Sequence, residues 1–278
     1  MDQQRSRIRQ DLRGLIEGEV RCDPVTLQLY SSDASIYQLQ PLGVVSPRSV
    51  EDVVATVQYA HENAIPIHAR GAGTGLAGES LGAGLVIDFS KFMRRTLWKE
   101  AESVCVQPGV VHQRLNTDLR KDGRQFGPDP ANSNVTTLGG VVAIDSGGSH
   151  WLKYGSARRH VERLQLVLAD GTVAEVENEP VPTSQQRQES PRAELLGRLA
   201  DILSEHQEKI VRSQPKSLVN RCGYQLADVL KDGRIHLPRL LAGSEGTLAL
   251  FTEITLATQP LPKQRAVLLL LFDRLDQA

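Results

Sequence analysis

Only six residues separate Gly78 from the apolar run Leu85–Phe89, and that gap decides what the glycines before it can belong to. The stretch His68–Gly82 reads HARGAGTGLAGESLG and carries Gly73, Gly75 and Gly78 at the spacing of a dinucleotide fingerprint. That fingerprint has a structural condition: the glycines follow a strand and open a crossover helix leading to the next parallel strand. The strand is supported, because Ile65, Ile67 and Ala69 alternate ahead of Arg70 and Pro66 suits a strand that begins there. The helix is not, because a crossover takes about a dozen residues or more and two of the six here are glycine. The spacing therefore predicts a strand, a glycine loop and another strand. Such a loop is either a flexible surface turn or a cradle whose amides hold an anion with no side chain in the way.

The chain has 278 residues and is 40% hydrophobic, enough for a real core in one large domain or two. With 32 basic and 33 acidic side chains its formal charge is -1, so no global field draws it to nucleic acid or anionic lipid. Small-molecule partners are favoured. The opening MDQQRSRIRQ has no apolar segment, and no apolar run approaches the roughly 18 residues of a membrane span, which points to a cytoplasmic protein. Cys22, Cys105 and Cys222 form no CxxC pair, so they predict neither a disulfide framework nor a zinc site, and each reads as a small buried side chain.

Ser49–Asn63 places Val50, Val53, Val54, Val57 and Ala60 at helical spacing behind a capping serine. SVCVQPG predicts a strand stopped at Pro108, and Val111, Leu115 and Leu119 a helix closed at Gly123. The second half changes character. RLQLVLADGTVAEV is a hairpin turning at Asp170 and Gly171, a switch to antiparallel sheet. A polar surface loop is expected between Glu177 and Pro191, followed by a helix marked by Leu195, Leu199, Ile202, Leu203, His206 and Ile210, with His206 at the edge of the core.

Two further glycine clusters change the weight of the first. Gly127–Gly155 combines a rigid PDP turn with the pairs Gly139–Gly140 and Gly147–Gly148, and Gly243 and Gly246 precede a strand-like run to Thr258. A chain that repeatedly needs bare backbone passes close to something flat or phosphorylated, or is simply rich in tight turns. In order, the elements are RGAGT (Arg70–Thr74), VQPG (Val106–Gly109), GPDP (Gly127–Pro130), TLGG (Thr137–Gly140), SGG (Ser146–Gly148), KYG (Lys153–Gly155) and GSEGT (Gly243–Thr247). This series resembles the flavoproteins of the vanillyl-alcohol oxidase and p-cresol methylhydroxylase (PCMH) type, in the branch of the glycolate oxidase flavin subunit and the D-lactate dehydrogenases. NRCGYQL (Asn220–Leu226) is similar to a variant in large members that fuse the flavin domain to an iron–sulfur region.

The resemblance implies an α+β fold: an FAD-binding PCMH-type domain of two α/β subdomains, a small mostly parallel sheet and a larger antiparallel one. It implies boundaries at 1–43 for an N-terminal helical extension, 44–262 for the FAD domain and 263–278 for the start of a truncated cap domain. It places the pyrophosphate on Arg70, Gly71, Ala72, Gly73, Thr74 and Gly75, with Gly78 beyond. The rest of the cofactor is expected at Pro108, Gly109, Pro128, Asp129, Thr137, Gly139, Gly140, Ala143, Asp145, Gly147, Gly148, Tyr154, Gly155, Glu245, Gly246, Thr247 and Ile254. Covalent members often carry a His within or just after the first glycine motif. This loop has none, His68 preceding it, so the FAD is expected to be non-covalent. Asp145 stands where relatives usually have Asn; its carboxylate either lowers the flavin potential or caps a turn.

The implied activity is hydride removal from a small 2-hydroxy acid of the glycolate or D-lactate type. Aryl-alcohol oxidation, reduction of an enolpyruvyl nucleotide sugar, or a flavin-carrying subunit that passes electrons to an iron–sulfur domain or partner are the alternatives. In this family the base comes largely from the cap, so no catalytic residue is nominated; His150, Lys153, Tyr154 and Arg158 are residues that could face the flavin. The run Ala266–Phe272 reads as a strand buried on both faces, with Asp273 capping a helix cut short. An incomplete cap predicts negligible turnover by this chain alone, and self-association through its C-terminal end.

Overall fold

The computed structural model describes residues 2–217 and 219–277. The small sheet contains β1 (Glu19–Arg21), β2 (Gly43–Ser46), β3 (Ile67–Arg70) and β4 (Leu85–Asp88), in the order β1-β2-β4-β3. The pairs β2–β4 and β4–β3 are parallel, and β1 pairs antiparallel to β2. The helix Val50–Glu62 makes the crossover from β2 to β3, capped by Ser49, whose side chain accepts from the Asp52 amide at 3.3 Å. No helix joins β3 to β4. The glycine stretch 71–84 spans them as a loop.

The larger sheet is antiparallel throughout. Its strands are β5 (Thr96–Lys99) and β6 (Ser103–Val106), then β8 (Val161–Val167) and β9 (Val173–Pro180), and finally β10 (Leu230–Lys231), β11 (Arg234–His236) and β12 (Leu250–Ala257). The short β7 (Arg124–Gln125) pairs instead with β13 (Gln259–Pro260). The order β10-β11-β9-β8-β12-β6-β5 puts β12, the strand after the GSEGT motif, between β8 and β6. The β8–β9 hairpin turns at Gly171, whose φ of 86° is the left-handed conformation that glycine adopts without cost.

The helix Val50–Glu62 joins the halves. Tyr59 and Ala60 pack with Val45 and Leu85 under the helix Asp2–Arg13. Val53 and Val57 pack with Ile87, Phe89 and Met93, and with Val167 and Leu250 of the larger sheet. Each such buried aliphatic side chain contributes roughly 1.5–3 kcal/mol. Among the described residues no helix is long and apolar enough to cross a membrane.

Four expectations are corrected. The segment between Glu177 and Pro191 is not all loop: β9 continues to Pro180, and a helix spans Ser184–Glu189 behind a Thr183–Gln186 capping box. The next helix breaks at His206 into Pro191–Glu205 and Gln207–Arg212, and it buries Leu196, Gly197, Ala200 and Leu203, leaving Leu195, Ile202 and His206 exposed. Cys222 is exposed and Cys22 half-buried; only Cys105 is buried. Ala266–Phe272 forms no strand, with Val267 99% and Leu271 86% exposed. Pro260 and Pro262 remove two ladder donors just ahead of that run, and no described strand pairs with it.

Asp52 shows how the N-terminal segment is tied down. It is buried, and its carboxylate accepts from the Glu17 amide at 2.9 Å and the Arg48 amide at 2.8 Å. Asp52→Ala leaves two donors unmet and is expected to cost about 2–4 kcal/mol, read as a lower urea midpoint at unchanged slope. Asp52→Asn keeps one acceptor and should lose less.

Candidate functional site

The glycine loop is held from below by the N-terminal segment. The Ala34 amide donates to Gly73 O at 3.0 Å, and Ser80 Oγ donates to Asp33 at 2.9 Å. Arg70 lies over the Tyr30 ring at 5.1 Å and donates to Ser32 O at 2.8 Å. The Tyr30 hydroxyl donates to Asp88 at 2.6 Å; burial, and then that bond, push its pKa up. Gly73 takes φ 65° above the Arg70 guanidinium, where a Cβ would approach Nη2 to 2.6 Å.

Above this support lie two adjoining clefts that share Ala69, Gly71, Thr137, Gly140, Ala143 and Gly246 as walls. One is closed by Phe89, Pro108, Gly139, Ala249 and Phe251 and is apolar. The other is bounded by Ala72 to Gly75, Glu79, Ser80, Thr136, Ile144 and Glu245. The helix Leu138–Ala143 forms the floor, fixed where the Leu138 amide donates to Val110 O and the Gly139 amide to Pro108 O. The loop Gly243–Thr247 closes the far side, its Gly243 and Glu245 amides donating to Val142 O and Ala143 O.

The polar groups around these clefts have unmet capacity. Among the described residues the amides of Gly71 to Gly75 donate to no protein acceptor. Thr137 Oγ1 and Arg70 Nη1 are buried without a partner. A Cβ on Gly140 would meet nothing nearer than Thr137 Oγ1 at 3.6 Å, so the space over that glycine is open. Gly71 is the opposite case, since a Cβ there would overlap Thr137 Oγ1. Unmet donors on a loop, beside an apolar slot floored by glycine, suit a ligand with oxyanions at one end and a flat body at the other.

Pro128, Asp129, Asp145, Gly147, Gly148, Tyr154 and Gly155 are not among the residues that line these clefts. His112 Nε2 donates to Pro128 O at 2.6 Å, and Asn116 makes two bonds to the Phe126 backbone, so the GPDP turn is fixed from the helix His112–Leu119. Burial lowers the His112 pKa. Asp129 bridges to Gly148, where a Cβ would overlap Asp129 O, and it also binds His150 Nδ1. Gly147 lies under Arg221, Gly155 takes φ 75°, Lys153 lies over the Tyr154 ring, and Tyr154 accepts from Gln125. Asp145, 3% exposed, accepts from the Arg158 amide at 2.8 Å and from its Nε at 3.2 Å, so it holds a turn and pairs with a cation. Nor do Gly78, Gly109, Thr247 and Ile254 line the clefts. Gly78 abuts Tyr37, Gly109 backs onto Phe89 O, Thr247 bonds Tyr224, and Ile254 is core in β12.

The sequence reading missed Phe89, Ala249 and Phe251 as walls, and Glu79, Ser80 and Thr136 beside the loop. It also missed the support from Tyr30, Ser32 and Ala34, which carries no local signal.

A family model described as an FAD binding domain matches residues 41–177. Those residues are just under half of the chain and are what it shares with FAD binding domains. The chain is 38% identical over 259 residues to a D-2-hydroxyglutarate dehydrogenase of Pantoea ananatis, an alignment covering 89% of the chain and 25% of that protein. It is 30% identical to glycolate oxidase subunit GlcD of Bacillus subtilis, over 90% of the chain and 44% of that protein. A D-lactate dehydrogenase of Archaeoglobus fulgidus is 29% identical over 84% of the chain and 42% of its own length. The chain thus spans between a quarter and under half of these relatives. The solved structure of an alkyldihydroxyacetonephosphate synthase superposes with a TM-score of 0.65 at 20% identity, covering 93% of the chain and 44% of that one, which shows the shared fold.

Proposed function

We propose that the chain is the FAD-binding part of an oxidoreductase that removes a hydride from a small 2-hydroxy acid, with the FAD held non-covalently in the two clefts. The observation that carries this reading is the unmet donor set of Gly71 to Gly75, Thr137 and Arg70 beside the apolar slot over Gly140. The relatives' names supply the substrate class. When bound, FAD supplies the hydride acceptor. The protein's share is to meet the phosphates with loop amides, leave room for a planar ring at Gly140 and Gly246, and keep water from the slot with Phe89, Pro108 and Phe251. His68 supports a non-covalent cofactor: half-buried, with its pKa lowered by that burial, its ring lies against Gly82. A second reading, a flavin carrier passing electrons to an iron–sulfur partner, is favoured by the relative named as an oxidase subunit and by the NRCGYQL segment. The exposed run Ala266–Phe272 suits association there.

Acid precipitation of the yellow protein is expected to leave flavin in the supernatant, and colour in the pellet would overturn the non-covalent assignment. Deleting the gene should raise the cellular pool of one 2-hydroxy acid, by mass spectrometry; unchanged D-2-hydroxyglutarate, D-lactate and glycolate would remove the substrate class.

Gly140→Val is expected to abolish flavin retention while far-UV circular dichroism stays native, because its side chain enters open space above the floor helix. Wild-type flavin content in that variant would show that the slot is not the ring site.

Burial, and then the like charge of Glu79, raise the Glu245 pKa. A phosphate dianion on the neighbouring loop would raise it further, so FAD binding takes up a proton. Affinity is then full below the free-state pKa of Glu245 and falls as pH rises through the carboxylate range. Fluorescence titration should show this decline, and Glu245→Gln should flatten it. An unchanged slope in that variant would take Glu245 out of the phosphate end.

A further inference from the structure

A second depression, about 690 Å³, opens beside the Asp145–Arg158 pair and away from the glycine loop. Four guanidinium groups line it: Arg158, Arg159, Arg221 and Arg239. Arg158 is committed, to Asp145 through Nε, to Ala242 O at 2.6 Å and to Gln225 O at 3.4 Å. The other three have no carboxylate partner among the described residues; Arg239 reaches only the Asp228 carbonyl, at 3.4 Å. Two aspartates, Asp145 and Asp228, share the walls with these four arginines, and one of the two is already spent on Arg158. Burial lowers the Arg158 pKa, the paired Asp145 opposes it, and the like charge of Arg239 adds the smallest push downward. Trp151 supplies an apolar face to the same depression. Guanidinium forks without partners, gathered around a concave surface with an aromatic wall, match carboxylate or phosphate oxygens on an organic body.

We propose that this depression is a binding site for a small organic anion bearing carboxylate or phosphate groups, held by Arg159, Arg221 and Arg239 against Trp151. No relative's name assigns it, and it does not depend on the hydride-transfer reading. Two ligand sources share this chemistry: an acidic metabolite and a phosphorylated one.

The test is calorimetric titration of the purified chain with glutarate and, separately, with inorganic phosphate. Saturable binding of at least one is expected, weakened by roughly tenfold in Arg221→Gln and again in Arg239→Gln. The double variant Arg94→Gln/Arg95→Gln, on a separate basic face with Arg114, should bind like wild type. Tighter glutarate binding assigns the site to an acidic metabolite, and tighter phosphate binding to a phosphorylated one. Bound FAD, read at the flavin band, should stay at the wild-type level in every variant. No saturable binding of either anion would overturn the proposal. So would equal weakening by the Arg94 and Arg95 pair, or loss of FAD together with the anion.

Discussion

The parallel pairing of β3 with β4, without a helix between them, is the constraint on which the site rests. Parallel neighbours require the chain to travel back the length of a strand before it can pair again. A helix would make that return with its own amides satisfied. Here glycine-rich backbone makes it, and the amides of Gly71 to Gly75 are left without protein acceptors among the described residues. Groups so placed are costly unless water or a ligand meets them. The same choice of connection that excludes a Rossmann crossover therefore leaves a surface of free donors that suits oxyanions.

That surface becomes a cleft only because the two sheets are locked together. The helix Val50–Glu62 packs one side on β2 and β4 and another on Val167 and Leu250 of the larger sheet. The lock brings the loop after β3 against the floor helix Leu138–Ala143 and the loop before β12. Close approach is then a matter of single atoms. Thr137 Oγ1 occupies the place a Cβ on Gly71 would take, while a Cβ on Gly140, three residues after Thr137, would meet that same oxygen only at an ordinary contact distance of 3.6 Å. The two glycines look alike in the sequence and do opposite things.

Much of this was legible in the chain itself. The helix after Ser49, the strand–loop–strand unit and the hairpin at Gly171 follow from periodicity and turn chemistry acting over a few residues, and the structure contains all three. The order of the glycine motifs carried the resemblance, because runs of bare backbone leave a mark in the sequence that side chains do not. What was not legible depends on contacts distant in sequence. The helix Pro191–Glu205 buries Leu196 and Ala200 in place of Leu195 and Ile202, since the face it presents is chosen by the sheet beneath and not by its own apolar count. Phe89 and Phe251 look like ordinary strand residues and become walls only when the sheets meet. The Asp145 carboxylate could be read two ways until Arg158 was found beside it.

The bond from Ala34 to Gly73 has a consequence for how the molecule would respond to trimming. The cleft walls begin at Ala69, yet the shape of the loop is set in part from residues 30–38, through Tyr30, Ser32, Asp33 and Ala34. A ligand that binds only the supported form of the loop lends its binding free energy to that support by mass action. The N-terminal segment is in this sense thermodynamically part of the proposed nucleotide site. A shortened chain starting at the first parallel strand would keep the full set of cleft-lining residues and still register as a weaker cofactor complex.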